Sequence, residues 1–167
     1  EGGITLNGTI SLWSSVTIIK RSKKGFRISS ENDGTFIEGE RLDAPIKERG
    51  FGLIWEALKA FPPPWDFEIL FRNDAPHGSG LGASSSLLVC LTAGLMKARG
   101  EDIDAEKVIR RASIIETRFL KVPVGMQDYF SSVYGGFNVI YHTPDGEKNE
   151  RLHLSEGVIS SLNRRLI

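Results

Sequence analysis

Apolar residues recur along this chain at two spacings, one typical of β-strands and one typical of α-helices. Phe67, Ile69 and Phe71 alternate with the positions between them, which is the strand period. Across Arg49–Phe61 the apolar residues recur at helical spacing, until a run of three prolines ends the pattern. The same criteria predict strands at Ile4–Leu12, Val16–Lys20, Phe26–Ser30, Thr35–Glu38, Gly136–His142 and Leu152–Leu154, and helices at Ser84–Arg99, after Asp104 and at the C-terminus.

The helix that follows Asp104 shows a clear division into two faces. Aspartate is a residue type that caps helix N-termini, and Glu116 is predicted to close this helix. The apolar stripe predicts that the following residues are buried: Val108, Ile109, Ala112, Ile115 and Phe119. The strands and helices, with no repeat or linker between them, predict one α+β unit.

A glycine-rich segment joins the strand that begins at Phe67 to the helix that begins at Ser84. This segment, Pro76–Ser86, reads PHGSGLGASSS. Its glycines permit backbone conformations that are closed to other residues, and they allow a ligand to approach the backbone closely. At the N-terminus of the following helix, unpaired N–H groups and the helix dipole both favour an anion. Phosphate is the expected ligand.

Other glycine motifs fit Pro76–Ser86 less well. No lysine follows Gly82, so the segment is not the Gly-x-x-x-x-Gly-Lys-Ser/Thr loop of nucleotide hydrolases. A dinucleotide-binding fingerprint would have an acidic residue in a strand about 20 positions later, and no strand is predicted at that distance to carry one. Plain turn chemistry at a strand-to-helix corner stays open as an alternative, although helix capping accounts for only one of the three serines.

The composition is that of an ordinary soluble domain. The 167 residues carry 21 basic and 21 acidic side chains, and this balance gives no electrostatic case for nucleic acid or for an anionic membrane surface. The single cysteine, Cys90, excludes an internal disulfide and is expected to be a buried thiol in a cytoplasmic protein. No apolar run approaches the ~20 residues that span a bilayer. Trp13, Trp55 and Trp65 are predicted as core or edge aromatics, with a place in an adenine pocket as the alternative for Trp13.

Two carboxylates, Glu116 and Asp128, flank a stretch that contains Pro123 and Gly125, and Asp128 is expected in a loop that leads back toward the glycines. Phosphoryl transfer needs a cradle for the phosphates, magnesium, and a group that orients or deprotonates the attacking hydroxyl. Magnesium prefers oxygen ligands, which Ser84, Glu116 and Asp128 would supply. Taken without the glycine-rich segment, the two positions favour the alternative that Glu116 is a solvated helix residue and Asp128 a helix cap.

Together these two regions resemble the GHMP kinases, a family of small-molecule kinases that includes galactokinase, homoserine kinase, mevalonate kinase and phosphomevalonate kinase. The phosphate loop of that family has the general form Pro-x-x-x-Gly-Leu-Gly-Ser-Ser-Ala-Ala, and Ala83 stands here in place of its first serine. The resemblance implies the N-terminal domain of the GHMP kinase fold, which is like domain 2 of ribosomal protein S5 and in which a mixed sheet packs with helices. It also implies an ATP phosphate site formed by Pro76, Gly78, Ser79, Gly80, Leu81, Gly82, Ala83, Ser84 and Ser85.

The same resemblance implies roles for three side chains. Ser84 and Glu116 match the residues that bind magnesium, and Asp128 matches the aspartate that acts near the acceptor hydroxyl. The sequences GMQDY (125–129) and YGGFN (134–138) look closest to the D-glycero-D-manno-heptose 7-phosphate kinases. Those kinases usually have GxQDQ and GGFN, so Tyr129 stands where they have glutamine.

The resemblance covers nearly all of residues 1–167 but only the N-terminal half of a typical member, without that family's first strand and motif and without its second domain. It implies transfer of a phosphoryl group from ATP, with Mg²⁺, to a hydroxyl of a sugar or sugar phosphate, and a homodimer is left open. A site that is normally closed between two domains would be open to water here, so the isolated chain is expected to be weakly active or inactive. A mevalonate- or galactose-type substrate, a nucleotide-binding module without turnover, and a structural domain on the same fold stay open as alternatives.

Overall fold

The computed structural model describes residues 2–43, 46 and 50–165. In this part of the chain the backbone forms seven strands and five helices. The strands are β1 (Gly3–Gly8), β2 (Ser14–Lys20), β3 (Phe26–Ser30), β4 (Phe36–Gly39), β5 (Phe67–Asn73), β6 (Phe137–Thr143) and β7 (Gly146–Leu152). The helices are α1 (Gly52–Ala60), α2 (Ala83–Ala98), α3 (Ala105–Leu120), α4 (Gln127–Tyr134) and α5 (Glu156–Asn163). Within the described ranges, no helix combines the length and the apolar character that crossing a membrane requires.

The described strands form two separate sheets. The four-stranded sheet has the order β2-β5-β3-β4, in which β3 and β5 are parallel and the other neighbours are antiparallel. The three-stranded sheet has the order β1-β6-β7 and is antiparallel throughout. The predicted α+β class and its mixed sheet are therefore confirmed, and a smaller antiparallel sheet accompanies the mixed one.

The core lies between the four-stranded sheet and the helices. Helix α2 packs against β2 and β5 on one side and against α1, α3 and α4 on the others. Ile28 and Ile69 of the sheet and Leu88 and Leu91 of α2 are fully buried. Each such side chain contributes about 1.5–3 kcal/mol through removal of its apolar surface from water. The strand and helix that flank the glycine segment are thus held rigidly at both of its ends.

Helix α3 buries most of the predicted stripe. Val108, Ile109, Ala112 and Ile115 are all buried, as their spacing predicts. Phe119 is 43% exposed, because its ring lies over the first residues of α1 at the edge of the core. The prediction for Phe119 is therefore wrong. Asp104 caps the helix as predicted, since its carboxylate accepts a hydrogen bond from the Lys107 N–H at 2.9 Å.

Helix α4 is an element that the sequence patterns do not predict. Most of its residues are serine, aromatic or β-branched, and such residues are weak helix formers. A helix this short depends on tertiary packing, which α2 and α3 provide. Gly135 and Gly136 end the helix and lead into β6 with φ values of 64° and 67°, in the left-handed region that favours glycine.

Two strand predictions are wrong at their boundaries. β1 ends at Gly8 and does not continue to Leu12, because the chain leaves the sheet after the Thr9 N–H bonds to the Gly136 carbonyl. β7 occupies Gly146–Leu152 and not Leu152–Leu154, because backbone pairing with β6 holds a largely polar segment in the sheet. The predicted start of the first helix at Arg49 lies outside the described residues.

Candidate active site

The glycine-rich segment is an exposed loop between β5 and α2. Gly78 and Gly80 have φ values of 74°, and Gly82 has a φ value of 69°. All three lie in the left-handed region, which glycine enters without the steric cost that a side chain would add. A Cβ atom at Gly78 or Gly80 would meet no other atom within 4 Å, so these positions need glycine for backbone conformation only. The loop therefore presents its backbone to solvent.

The N-terminus of α2 is left free for a ligand. Gly82 is its N-cap residue and offers no side chain to bond the first N–H groups of the helix. The first turn contains no acidic side chain. The Ser86 N–H starts the helical ladder by donating to the Gly82 carbonyl at 2.9 Å, so the N–H groups of residues 83–85 have no partner within the helix. This end of α2 has the properties of an anion-binding site.

Glu116 approaches the start of α2 from α3. It is 6% exposed, so the alternative that it is a solvated helix residue is wrong. Ser84 Oγ donates to its Oε1 at 2.7 Å, while Ser85 Oγ and the Tyr129 hydroxyl donate to its Oε2, the former at 3.1 Å. Glu116 does not close the helix as predicted, because α3 continues for one more turn to Leu120.

Asp128 lies in the first turn of α4 and not in a loop, which corrects the sequence prediction. Its carboxylate is beside the start of α2, since a Cβ atom on Gly82 would lie 3.0 Å from its Cγ and 3.2 Å from its Oδ2. Burial, and to a lesser extent the Glu116 carboxylate, raises the pKa of Asp128 above its ordinary value. The N-cap of α4 is Met126 and no side chain caps that helix, so the alternative of Asp128 as a helix cap is not supported.

The oxygen atoms at this point suit a magnesium ion. Octahedral magnesium holds its ligands at 2.0–2.1 Å, which places neighbouring ligand oxygens about 2.9 Å apart. Ser84 Oγ and Glu116 Oε1 are 2.7 Å apart, close to that separation. Among the described residues no group of three or more histidine, cysteine, aspartate or glutamate side chains gathers to hold a metal. A cation here would take its other ligands from phosphate and water, as magnesium commonly does.

Sequence reasoning missed that two further side chains at the site donate hydrogen bonds to Glu116. Ser85 is predicted to contact phosphate, but its hydroxyl is buried against Glu116, and only its backbone N–H faces the helix end. Tyr129 is fully buried, and burial together with its hydrogen bond to Glu116 raises the pKa of its hydroxyl, which therefore stays protonated and acts as a donor. The apolar positions Tyr129, Phe130 and Val133, at helical spacing, are the signal that could have revealed α4 and the burial of Tyr129.

An aromatic ring stands next to the start of the loop. Trp13 is 73% exposed, so it is no part of the core, whereas Trp55 is buried and Trp65 packs partly against the core. The backbone of Trp13 pairs with Asp74, two residues before the loop begins, through the Asp74 N–H to Trp13 carbonyl bond of 2.9 Å. Its exposure leaves the adenine-pocket alternative open.

A separate cleft of about 450 Å³ lies between α3, α4 and the β6–β7 hairpin. Both basic and acidic side chains line it, and none of Ser84, Glu116 and Asp128 does. Its mixed charge gives no preference for a phosphate group. The candidate active site is the exposed surface around the start of α2, and it is distinct from this cleft.

Comparison with known proteins shows which family and which proteins this chain is similar to. The family described as "GHMP kinases N terminal domain" matches residues 52–136, half of the chain, including the loop, Glu116 and Asp128. A D-glycero-alpha-D-manno-heptose 7-phosphate kinase from Campylobacter jejuni is 33% identical over 145 residues, which are 81% of this chain and 42% of that protein.

Solved structures agree with the sequence match. The crystal structure of a D-glycero-D-manno-heptose 1-phosphate kinase from Bacteriodes thetaiotaomicron superposes with a TM-score of 0.83 at 26% identity, covering 96% of this chain and 55% of that one. A galactokinase from Lactococcus lactis shares the fold, with a TM-score of 0.73 at 19% identity over 92% of this chain and 43% of that one. The chain therefore spans about half the length of these relatives. Through its loop, its fold and its sequence, the chain belongs to the GHMP kinase family and forms the N-terminal domain of that family.

Proposed function

We propose that this chain is the nucleotide-binding half of a kinase that transfers the γ-phosphoryl group of ATP to a hydroxyl of a sugar or sugar phosphate. One observation carries the proposal. The free N-terminus of α2, the Ser84–Glu116 pair and the Asp128 carboxylate all meet at one exposed point of the molecule. Kinship with sugar kinases supports the reaction class, and the heptose phosphate kinases among its relatives favour a substrate of that kind.

The loop would bind the phosphates of ATP through backbone N–H groups. Gly78 and Gly80 hold the loop in its left-handed conformation, and residues 83–85 present their N–H groups at the positive end of α2. The backbone can approach phosphate closely because no side chain intervenes at the glycine positions.

Ser84 and Glu116 would hold a magnesium ion through Oγ and Oε1. When bound, magnesium neutralises charge on the transferring phosphate and orients it. The burial of Glu116 keeps water from competing for its carboxylate, and three hydroxyl donors hold that carboxylate in place before any ligand arrives.

Asp128 would act on the acceptor hydroxyl. Its carboxylate accepts the hydroxyl proton while the hydroxyl oxygen attacks the γ-phosphorus and the bond from that phosphorus to the bridging oxygen of ADP breaks. The raised pKa of Asp128 makes it a better proton acceptor than an exposed aspartate, because a base is most effective when its pKa lies nearer the working pH. Its position beside Gly82 places it next to the helix end that would hold the phosphates.

The test is an ADP-release assay on the full-length protein, with ATP, Mg²⁺ and a panel of heptose phosphates, hexoses, galactose, mevalonate and homoserine. We expect turnover with a sugar or sugar phosphate. Asp128→Asn should reduce turnover by roughly a hundredfold or more, the range for loss of a general base, with ATP affinity nearly unchanged.

Asp145→Asn is the matched control, because Asp145 is exposed in the β6–β7 turn and its substitution removes the same charge away from the site. Turnover of mevalonate or homoserine in place of sugars would overturn the substrate class. ATP binding without turnover of any acceptor would establish a binding module instead of a kinase. An Asp128→Asn variant that keeps more than about a third of the turnover would remove Asp128 from the reaction, since a general base is worth far more than that.

A further inference from the structure

The two carboxylate oxygens of Glu116 lie in different environments. The side chain is buried, and it forms no ion pair within the described part of the chain. A buried carboxylate without a cation is costly unless hydrogen-bond donors satisfy it. Here three hydroxyl groups do so, from Ser84, Ser85 and Tyr129.

The donors are not shared evenly between the two oxygens. Oε2 accepts from both Ser85 and Tyr129, which are themselves buried, so both of its lone pairs are in use. Among the described residues, Oε1 accepts only from Ser84, an exposed residue at the start of α2, and keeps one lone pair. The oxygen with spare capacity is therefore the one that faces the loop.

We propose that Tyr129, together with Ser85, is a positioning residue that holds Oε2 of Glu116 so that Oε1 is free to bind the cation beside Ser84. This inference rests on the proposed function, because it assigns Tyr129 a part in preparing the magnesium site. It implies that Glu116 binds the cation through one oxygen and not two.

The location of Tyr129 makes it effective in this part. Its ring is fully buried, so its hydroxyl has little freedom to move away from Glu116. It directly follows Asp128 in the first turn of α4, so one helical turn both holds Glu116 and presents the Asp128 carboxylate to the start of α2.

The test compares the affinity of the full-length protein for ATP with excess Mg²⁺ and with EDTA, by calorimetry. The ratio of the two affinities, called here the magnesium enhancement, is the readout. Tyr129→Phe removes the hydroxyl and keeps the ring. It should lower the magnesium enhancement by about tenfold or more, the usual cost of losing a side chain that orients a metal ligand. Its affinity for ATP in EDTA should stay within about twofold of wild type, a difference of roughly 0.4 kcal/mol.

Tyr134→Phe is the matched control, since it removes a phenol hydroxyl from the last turn of the same helix, where the ring stacks on Phe130 away from Glu116. It should leave the magnesium enhancement unchanged. Tyr129→Gln, which restores a donor, should recover part of the loss.

The outcomes separate this inference from the proposed function. If wild type shows the enhancement and Tyr129→Phe keeps it, the positioning role is overturned while the kinase proposal stands. If Tyr129→Phe weakens ATP binding equally in Mg²⁺ and in EDTA, its part is structural and the proposal is overturned. If wild type itself binds ATP equally in both conditions, the magnesium site fails, and this inference fails with it.

Discussion

The two carboxylates of the candidate site, buried Glu116 and partly buried Asp128, differ in how many hydrogen-bond donors they receive. Glu116 receives three hydroxyl donors, whereas no hydrogen bond found among the described residues reaches the Asp128 carboxylate. The surroundings of Asp128 therefore disfavour the charged form of its carboxylate. If Asp128 acts as proposed, its role in function comes at some cost to the stability of the ligand-free protein.

The pH dependence of stability tests this view of Asp128. Because its pKa is raised in the folded state, the folded protein binds the proton more tightly than the unfolded chain does, so stability falls as the pH rises from the ordinary pKa of aspartate toward the raised pKa of Asp128. Asp128→Asn should therefore raise the Tm of the ligand-free protein at pH 7. The gain should shrink as the pH falls toward the ordinary aspartate value of 3.8. Thermal melts of both proteins between pH 4 and pH 7, with Asp145→Asn as the control for charge, make the measurement, and a lower Tm for Asp128→Asn at pH 7 would contradict it.

Ser84 offers a second test at the residue scale. Its hydroxyl is exposed and bonds to Glu116 at the oxygen that faces the loop. Ser84→Ala should reduce the magnesium enhancement of ATP affinity by roughly tenfold, because it removes one oxygen ligand from a hard cation. Ser113→Ala, in the turn of α3 before Glu116, removes a hydroxyl that bonds only to the Arg110 carbonyl and should have no such effect. An equal response of the two variants would argue that Ser84 only caps or stabilises the helix.

At the scale of elements, the site depends on how β5 passes into α2 and on where α3 and α4 deliver their carboxylates. The Asn73 side chain, at the end of β5, donates to the Ala83 carbonyl at 2.8 Å and so ties the strand to the first residue of the helix across the loop. Both flanking elements pack into the core, so the loop between them has fixed ends. The loop conformation itself is set by its glycines.

Gly80 and Gly34 form a matched pair that separates loop function from backbone strain. Their φ values are 74° and 73°, and a Cβ atom at either position would meet nothing within 4 Å. Gly80→Ala and Gly34→Ala should each cost about 1–2 kcal/mol of stability, the penalty for a side chain in the left-handed region. Only Gly80→Ala should also weaken ATP binding, because Gly34 lies in the β3–β4 turn. Equal ATP affinities in calorimetry would count decisively against the loop as the phosphate cradle.

At the scale of the whole molecule, the core and the glycine-rich loop occupy different places. The core fills the space between the four-stranded sheet and the helices, while the loop residues 76–81 are exposed. Substitutions in one region should therefore affect folding and in the other binding, with little overlap.

Two leucines test that separation. Leu91, on α2, is fully buried, and Leu81, in the loop, is 49% exposed. Leu91→Ala should lower the free energy of unfolding by about 2–5 kcal/mol, because it leaves a cavity in a packed interior. Leu81→Ala should change it by no more than about 0.5 kcal/mol, as exposed substitutions usually do. Urea unfolding of both variants measures the difference, and a loss of several kcal/mol in Leu81→Ala would show that the loop is part of the folded core.

The sequence by itself determined most of the secondary structure and the chemistry of the loop. The β3–β4 hairpin, β5, α2 and the capped start of α3 lie where their local patterns predict them. These elements could be predicted because turn residues, caps and periodic apolar faces act over a few neighbouring positions. The proposal that Pro76–Ser86 binds phosphate rests on the same kind of local rule, namely glycines followed by a helix N-terminus.

Features that depend on contacts between segments distant in the sequence were decided only by the tertiary structure. Helix α4 forms from weak helix formers because α2 and α3 cover it, and β7 exists because β6 pairs with it. Glu116 is buried; one of its carboxylate oxygens accepts from Ser84 and the other from Ser85 and Tyr129. This arrangement results from the packing of three helices, which no local sequence pattern encodes. The sequence pattern could identify the carboxylates as candidates. Their burial, and which hydroxyl groups donate to them, depend on where each helix lies against its neighbours.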